Sequence, residues 1–297
     1  MGIITGTTKL LGVVGYPVEH SLSPVMHNAA LAKLCQAQSQ AGLAYVYLPL
    51  SVRPADLATA IAGFAAMGLQ GFNVTIPHKQ AILPLLTDVS AIAHAVGAVN
   101  TVWRTDQGWS GTNTDVQGFL APLHSYERNW SETEVAILGS GGAARAVIAG
   151  CAELGCVNLR VIGRDTLKLK QFHQSWSHSA LFKNLQVHPW EELPDLLPQI
   201  GLLVNSTPVG MHPQINQSPL SPAEMAQLPK SAIVYDLIYT PYPTVLLQQA
   251  QAQGLIAIAG LEMLVQQGAA ALELWLKQPV PVDTMRQAVR QHLGLRD

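Results

Sequence analysis

A short apolar run, Val135 to Leu138, passes directly into Gly139-Ser140-Gly141-Gly142-Ala143-Ala144 and then into an alanine-rich stretch that reaches Leu154, with Gly155 beyond it. This junction limits the fold more than any other stretch of the chain. A buried strand that feeds a helix through glycines reads as the opening of a βαβ unit, and the next apolar run, Leu159 to Ile162, supplies its second strand. Gly139, Gly141 and Ala144 fit the pattern G-x-G-x-x-G/A. The first glycine permits a tight turn, the second lets a pyrophosphate approach the backbone, and the small third residue lets helix meet strand. The helix start adds free N–H groups and a partial positive charge. A merely tight turn is the plainer reading; the position between strand and helix favours a bound nucleotide. Two further strands are expected at Leu202 to Asn205 and Ala232 to Leu237, with the polar stretch Met211 to Lys230 between them as a long loop.

The end of the second strand bears on which dinucleotide is bound. An acidic residue there usually meets the ribose hydroxyls of NAD. Here the residues are Gly163-Arg164-Asp165, followed by Lys168 and Lys170. A guanidinium at that point suits a 2′-phosphate in charge and planar geometry, so NADP is expected. A solvated basic helix start is the plainer reading, and Asp165 keeps a ribose contact open.

At about 150 residues per domain, 297 residues suggest two domains, and 48 % apolar residues suffice for a sizeable core. With 17 basic against 19 acidic side chains, net charge −2, neither nucleic acid nor an anionic membrane is an expected partner. No apolar run approaches the roughly 18 residues of a membrane span. No basic segment followed by an apolar one opens the sequence. Three cysteines cannot form a fully paired disulfide framework, so a cytoplasmic protein is expected. No histidines stand at HExxH spacing, and His20 with His27 lacks a matching Cys or carboxylate set, so no metal is expected.

The first third reads as strands at Leu10 to Gly15, Ala44 to Pro49 and Gly71 to Ile76, alternating with helices at Ser23 to Leu34 and Pro54 to Met67. Another helix is expected after Pro77, and a connecting helix from Asp115 to about Trp130. Helices at Leu261 to Leu276 and Val282 to Leu293 close the chain. Strands alternating with helices argue a parallel α/β layer.

Uncharged polar residues cluster at the ends of these elements. Ser21 and Ser23 precede a helix; Ser23 reads as its N-cap with Pro24 at the first helical position, whereas Ser21 has no such task. In Asn73-Val74-Thr75-Ile76-Pro77-His78-Lys79, Asn73 and Thr75 leave one face of a strand. Lys79 falls near the start of the expected helix, where a cation opposes the helix dipole, and such a locally unfavourable placement hints at function. Gly97 to Thr101 and Gly111 to Asp115 add Asn100 and Asp115. Together Ser21, Ser23, Asn73, Thr75, Lys79, Asn100 and Asp115 suit a small polyhydroxylated acid. Amides and a carboxylate bind hydroxyls, and Ser and Thr hydroxyls donate to a carboxylate.

The blocks GYPVEHSLSPVMHN, GFNVTIPHK, GAVNT, GTNTD, LGSGGAARA, NSTPVGM, YDLIYTPYPT and GLEMLVQQGA, in that order over essentially the whole chain, closely resemble the shikimate dehydrogenase family. The resemblance implies a reversible, NADPH-linked reduction of 3-dehydroshikimate to shikimate in aromatic amino-acid synthesis. It implies an N-terminal α/β substrate-binding domain, residues 1–114 plus 260–297 with the C-terminal helices returning to it, and a Rossmann-like NADP-binding domain, residues 115–259. By the family pattern Lys79 and Asp115 are the catalytic pair. Ser21, Ser23, Thr75 and Tyr239 would face the substrate carboxylate, and Asn73, Asn100 and Gln267 its ring hydroxyls. Gly139, Ser140, Gly141, Gly142, Ala143, Ala144, Arg164, Lys168 and Gly260 would hold NADP. A homodimer is compatible with the resemblance. The chain departs from it in three places: Gly163-Arg164-Asp165 where Asn-Arg-Thr is common, Lys168 where a second arginine is common, and Glu262 where glycine is common. An NAD-dependent quinate/shikimate dehydrogenase is the alternative enzyme, and a non-catalytic sensor on the same fold the alternative class.

Overall fold

The computed structural model describes residues 3–37, 44–177, 179 and 183–295. The chain divides into two compact units, Met1–Gly118 with Val265–Asp297, and Phe119–Leu264. The first unit contains β1 (Lys9–Gly15), α1 (Ser23–Ala37), β2 (Tyr45–Ser51), α2 (Leu57–Ala66), β3 (Gly71–Val74), β4 (Asp88–Val89), α3 (Ala91–Val96), β5 (Thr101–Thr105) and β6 (Gly108–Thr112). Their sheet has the order β2-β1-β3-β5-β6-β4. β1 runs parallel to β2 and β3, whereas β5 runs antiparallel to β3 and β6. The sheet is therefore mixed rather than the parallel layer expected, because β5 and β6 form a hairpin. On α2, Leu57, Ile61 and Phe64 recur at helical spacing and are buried. Phe64 meets Phe72, and Phe72 meets Trp109, both edge-on, at centroid distances of 5.5 and 5.1 Å. Each such buried side chain stabilises the fold by about 1.5–3 kcal/mol.

After α4 (Asp115–Leu123), the second unit continues with β7 (Glu134–Leu138), α5 (Gly142–Glu153), β8 (Asn158–Gly163), α6 (Thr166–Gln174), β9 (Leu185–Pro189), α7 (Leu193–Leu196), β10 (Ile200–Asn205), α8 (Pro222–Met225), β11 (Ile233–Asp236), α9 (Val245–Ala252) and β12 (Ile256–Ala259). All its strand pairs are parallel, in the order β12-β11-β10-β7-β8-β9. Counted from β7 this is the doubly wound order 3-2-1-4-5-6, in which the order of strand addition reverses between β7 and β10. α10 (Gly260–Leu276) and α11 (Val282–His292) follow. From Val265 onward they belong to the first unit, where α11 packs on α1.

Four local expectations are corrected. No helix follows Pro77; residues 76–82 form turns and Leu83–Leu85 a 3-10 turn. The Lys79 carbonyl accepts from Val99 N at 2.8 Å, so it is spent on a neighbouring loop, and Pro84 has no N–H to give. Lys79 therefore opposes no helix dipole. Ser23 does not cap α1, because the Leu22 carbonyl already accepts the N–H of Met26 at 3.2 Å. α4 stops at Leu123 rather than near Trp130, immediately after Pro122. The stretch Met211 to Lys230 holds one helical turn, α8, with a complete capping box between Ser221 and Glu224.

The ends of β10 and β11 are tied by buried polar side chains. Asn205 Nδ2 donates to Asp236 Oδ1 at 2.9 Å, and Thr244 Oγ1 donates to Asp236 Oδ2 at 2.6 Å. The N–H of Ile238 donates to Asp236 Oδ1 at 3.1 Å. Burial pushes the Asp236 carboxyl up to about 6 despite these three donors. A carboxyl that holds its proton more tightly folded than unfolded, where carboxyls titrate near 4, loses stability as pH rises between those values. Wild-type stability relative to Asp236→Asn should thus fall by on the order of 2–3 kcal/mol from pH 4 to above pH 6, then level off. Urea denaturation of both proteins across this range checks it; a pH-independent difference would remove Asp236 as the titrating group.

Candidate active site

Strand direction gathers the polar residues of the first unit. β1 and β3 are parallel neighbours, so the loops carrying Ser21 and Thr75 leave the same edge of the sheet. β5 is antiparallel to β3 and begins at that edge, just after Asn100; β6 ends there, just before Asp115. Register sets Asn73 opposite Thr101 and Thr101 opposite Thr112. Lys79 reaches the edge from the turns after β3.

The central contact is an ion pair. Lys79 Nζ donates to Asp115 Oδ2 at 2.5 Å, with the two side chains 23 % and 11 % exposed. The pair is thus shielded, the Lys79 side chain less completely than that of Asp115. Asn100 Nδ2 donates to Asp115 Oδ1 at 2.8 Å and faces Thr114 Oγ1 at 3.0 Å and Gln267 Oε1 at 3.3 Å. Asn100 Oδ1 accepts from the N–H of Thr114 at 2.8 Å and the hydroxyl of Thr101 at 2.9 Å. These two acceptor contacts fix which end of the amide points at Asp115. Asn113 Oδ1 accepts the N–H of Asp115 at 3.0 Å and so anchors the backbone that carries the carboxylate.

Asn73 lies behind this group. Its Nδ2 donates to the Asn100 carbonyl at 3.0 Å and Thr101 Oγ1 at 3.1 Å, and its Oδ1 accepts from the Tyr47 hydroxyl at 2.6 Å. The Ser23 hydroxyl lies within hydrogen-bonding reach of the Tyr47 oxygen, and Ser21 Oγ accepts the N–H of Ser23 at 3.4 Å. Tyr47 stacks on His27 at 4.2 Å and 12°. Burial lowers His27 to about 3, so the ring is neutral and acts as an aromatic face. Tyr47, Thr101 and Thr114 were not chosen from the sequence. Thr101 and Thr114 stand inside polar blocks singled out there, but an aromatic residue on a strand carries no signal beyond core.

In the second unit the turn after β7 leads into α5. Gly139 has φ 98°, and a Cβ there would lie 3.0 Å from the Thr207 methyl and 3.1 Å from Ser206 Oγ, past the end of β10. Gly141 stands at the N-cap of α5 with no side-chain cap, and a Cβ on Gly141 or Gly142 would meet nothing within 4 Å. The start of α5 therefore faces an open cradle with unsatisfied N–H groups, which fits a dinucleotide pyrophosphate. Ala144 is buried, as helix-on-strand packing requires. Arg164 lies over the Trp190 ring, 5.2 Å from its centroid. Asp165 caps α6: its Oδ1 accepts from the N–H groups of Leu167 and Lys168, both at 3.0 Å. Lys168 Nζ stands 3.8 Å from Asp165, in an exposed pair of little energetic weight. Gly260 answers a packing need, since a Cβ there would come within 2.0 Å of the Leu237 carbonyl. Tyr239, also in this unit, follows β11, and burial raises its phenol.

Two family models match the chain: the shikimate dehydrogenase substrate binding domain over residues 13–102, and the shikimate 5'-dehydrogenase C-terminal domain over residues 260–290. The shikimate dehydrogenase (NADP(+)) of Trichormus variabilis is 59 % identical over 99 % of this chain and 100 % of its own length. The crystal structure of a shikimate dehydrogenase in complex with NADP+ is 32 % identical, with a TM-score of 0.85 over 98 % of each chain. That of a shikimate 5-dehydrogenase from Listeria monocytogenes, in complex with shikimate and NAD, is 33 % identical, with a TM-score of 0.86 over 97 % of this chain and 99 % of its own.

The Tyr47 hydroxyl can be removed while the ring stacked on His27 is kept. Tyr47→Phe leaves buried Asn73 Oδ1 without that donor and should cost about 1–3 kcal/mol of stability by urea denaturation. An unchanged midpoint would mean that the hydrogen bond adds no net stability.

Proposed function

The chain belongs to the shikimate dehydrogenase family, and we propose that Lys79 and Asp115 are the pair that carries its chemistry. The reaction is the reversible NADPH-dependent reduction of 3-dehydroshikimate to shikimate in aromatic amino-acid biosynthesis. The cofactor would supply the hydride as NADPH in the reduction and take it back as NADP+ in the reverse direction. As the ketone carbon is reduced its oxygen gathers negative charge. The Lys79 ammonium stabilises that charge and delivers the proton. Asp115 pairs with the ammonium and aims it, and Asn100 fixes Asp115. The lysine, partly open to solvent, regains its proton there. The observation that carries this reading is the continuous contact Lys79–Asp115–Asn100, at 2.5 and 2.8 Å.

Around this pair Ser21, Ser23 and Thr75 bind the substrate carboxylate, while the part of Tyr239 rests on the family resemblance alone; Gln267 meets a ring hydroxyl, and Asn100 does so by giving up its 3.3 Å contact with Gln267. Asn73, whose amide hydrogens are both engaged, offers its remaining carbonyl lone pair. Gly139 to Ala144 would hold the pyrophosphate and Arg164 the 2′-phosphate, with Lys168 adding a point charge and Gly260 keeping the start of α10 close. Asp165, occupied as a helix cap, gives no support to the quinate-type reading that needs it on a ribose. The buried Cys151 and Cys156 are thiols rather than a disulfide, which supports a reducing, cytoplasmic compartment. No described helix is long and apolar enough to cross a membrane. A homodimer is supported by the family resemblance alone.

Lys79→Ala should lower kcat by at least ~10² while the KM for NADP barely changes, as steady-state kinetics would report. Turnover near the wild-type level would remove Lys79 from the mechanism. Arg164→Ala should raise the KM for NADP roughly tenfold, the ~1.5–3 kcal/mol of a lost charged hydrogen bond, with NAD unaffected. Equal damage to both cofactors would mean that Arg164 does not read the 2′-phosphate.

A further inference from the structure

Arg164 and Trp190 meet for a topological reason. β8 and β9 are parallel neighbours, and Gly163 pairs with Pro189. Arg164 and Trp190 are the next residues on each strand, leaving the sheet side by side at its C-terminal edge, where doubly wound sheets bind their ligands. Trp190 is anchored from below: its ring packs against the buried cluster that includes Ile162, Leu193 and Leu197. The Arg164 guanidinium lies over the ring, 5.2 Å from its centroid.

A guanidinium held by its face keeps its N–H groups free at the edge. A free arginine on a strand tip samples many rotamers and loses them when it grips a phosphate. The Trp190 stack removes that freedom before the ligand arrives. The nearby charges compete little: Asp165 is bonded to two N–H groups of α6, and Lys168 leans toward Asp165.

Resting on the assignment of Arg164 to the 2′-phosphate, we propose that Trp190 is a positioning residue for cofactor choice: it holds the Arg164 guanidinium flat, its edge toward the 2′-phosphate of NADP. It thereby offsets part of what the lysine at position 168 cannot supply as a second planar fork.

The test is calorimetric titration of NADP and of NAD into the full-length protein, since the two ligands differ only by the 2′-phosphate. Trp190→Leu keeps apolar bulk but removes the ring; it should weaken NADP binding about two- to fivefold, the range of an exposed cation–π contact, and leave NAD binding unchanged. Trp190→Phe should retain most of the preference. Combined with Arg164→Ala, Trp190→Leu should add no further loss. Equal weakening of both cofactors by Trp190→Leu, or no change in either, overturns the proposal. If Arg164→Ala alone erodes the NADP preference while Trp190→Leu does not, only the role of Trp190 fails. If Arg164→Ala also leaves the preference intact, the reading of Arg164 fails with it.

Discussion

The Asn100 side chain is the joint on which the first unit's polar edge depends. Its amide is pinned at both ends, by Thr101 and Thr114 on the oxygen and by Asp115 and Gln267 on the nitrogen. Its main chain is pinned as well: the carbonyl accepts from Val74 N at 2.8 Å, and the N–H donates to the Thr112 carbonyl at 3.1 Å. One residue thus couples β3, the end of β6, the start of α4 and α10. An amide suits this position because it offers donor and acceptor together, and a buried group with only one of these would leave a neighbour unsatisfied. Packing alone would not orient the Asp115 carboxylate; the amide does.

That orientation matters because the Lys79–Asp115 pair sits between two regimes. A fully exposed pair would be screened and hold no geometry. A fully buried pair would carry a large desolvation cost and could not exchange protons with water. Here the carboxylate is more covered than the ammonium, and the carboxylate is the member with fixed hydrogen-bond donors. The arrangement suits a group that must be aimed like a buried residue and reprotonated like a surface one.

Much of this was legible in the sequence, and the failures have physical causes. β7, its glycine turn and α5 were readable because apolar period, small residues and the closing Gly155 all agree locally. Asn73, Asn100, Asp115 and Lys79 were selected as polar residues at element ends. Their union was not readable, since it depends on β5 running antiparallel to β3, a pairing between segments some thirty residues apart. The helix assigned after Pro77 failed because a loop N–H, that of Val99, captured the Lys79 carbonyl. β9 and β12 were missed because edge strands are only partly buried and carry a weak apolar pattern. Tyr47 was missed because a hydroxyl on a core aromatic announces nothing until its partners, Ser23 and Asn73, are in place.

Asp165 shows how local helix chemistry bears on a question that charge counting leaves open. By position, an acidic residue after the second strand of a doubly wound sheet can read a ribose, which would favour NAD. By local chemistry, the residue before a helix is asked to satisfy the orphan N–H groups of the first turn. One carboxylate meets the second demand fully here, with both Leu167 and Lys168 on the same oxygen. Turning it toward a ribose would leave those N–H groups to water and give up the cap, at about 1 kcal/mol. The positive end of the helix also offsets part of the negative potential that the Asp165 carboxylate sends outward. Arg164 can therefore stand one residue away and keep an attractive field for a phosphate. On the proposed assignment of Arg164 to the 2′-phosphate, the capping of α6 would favour NADP alongside the arginine itself.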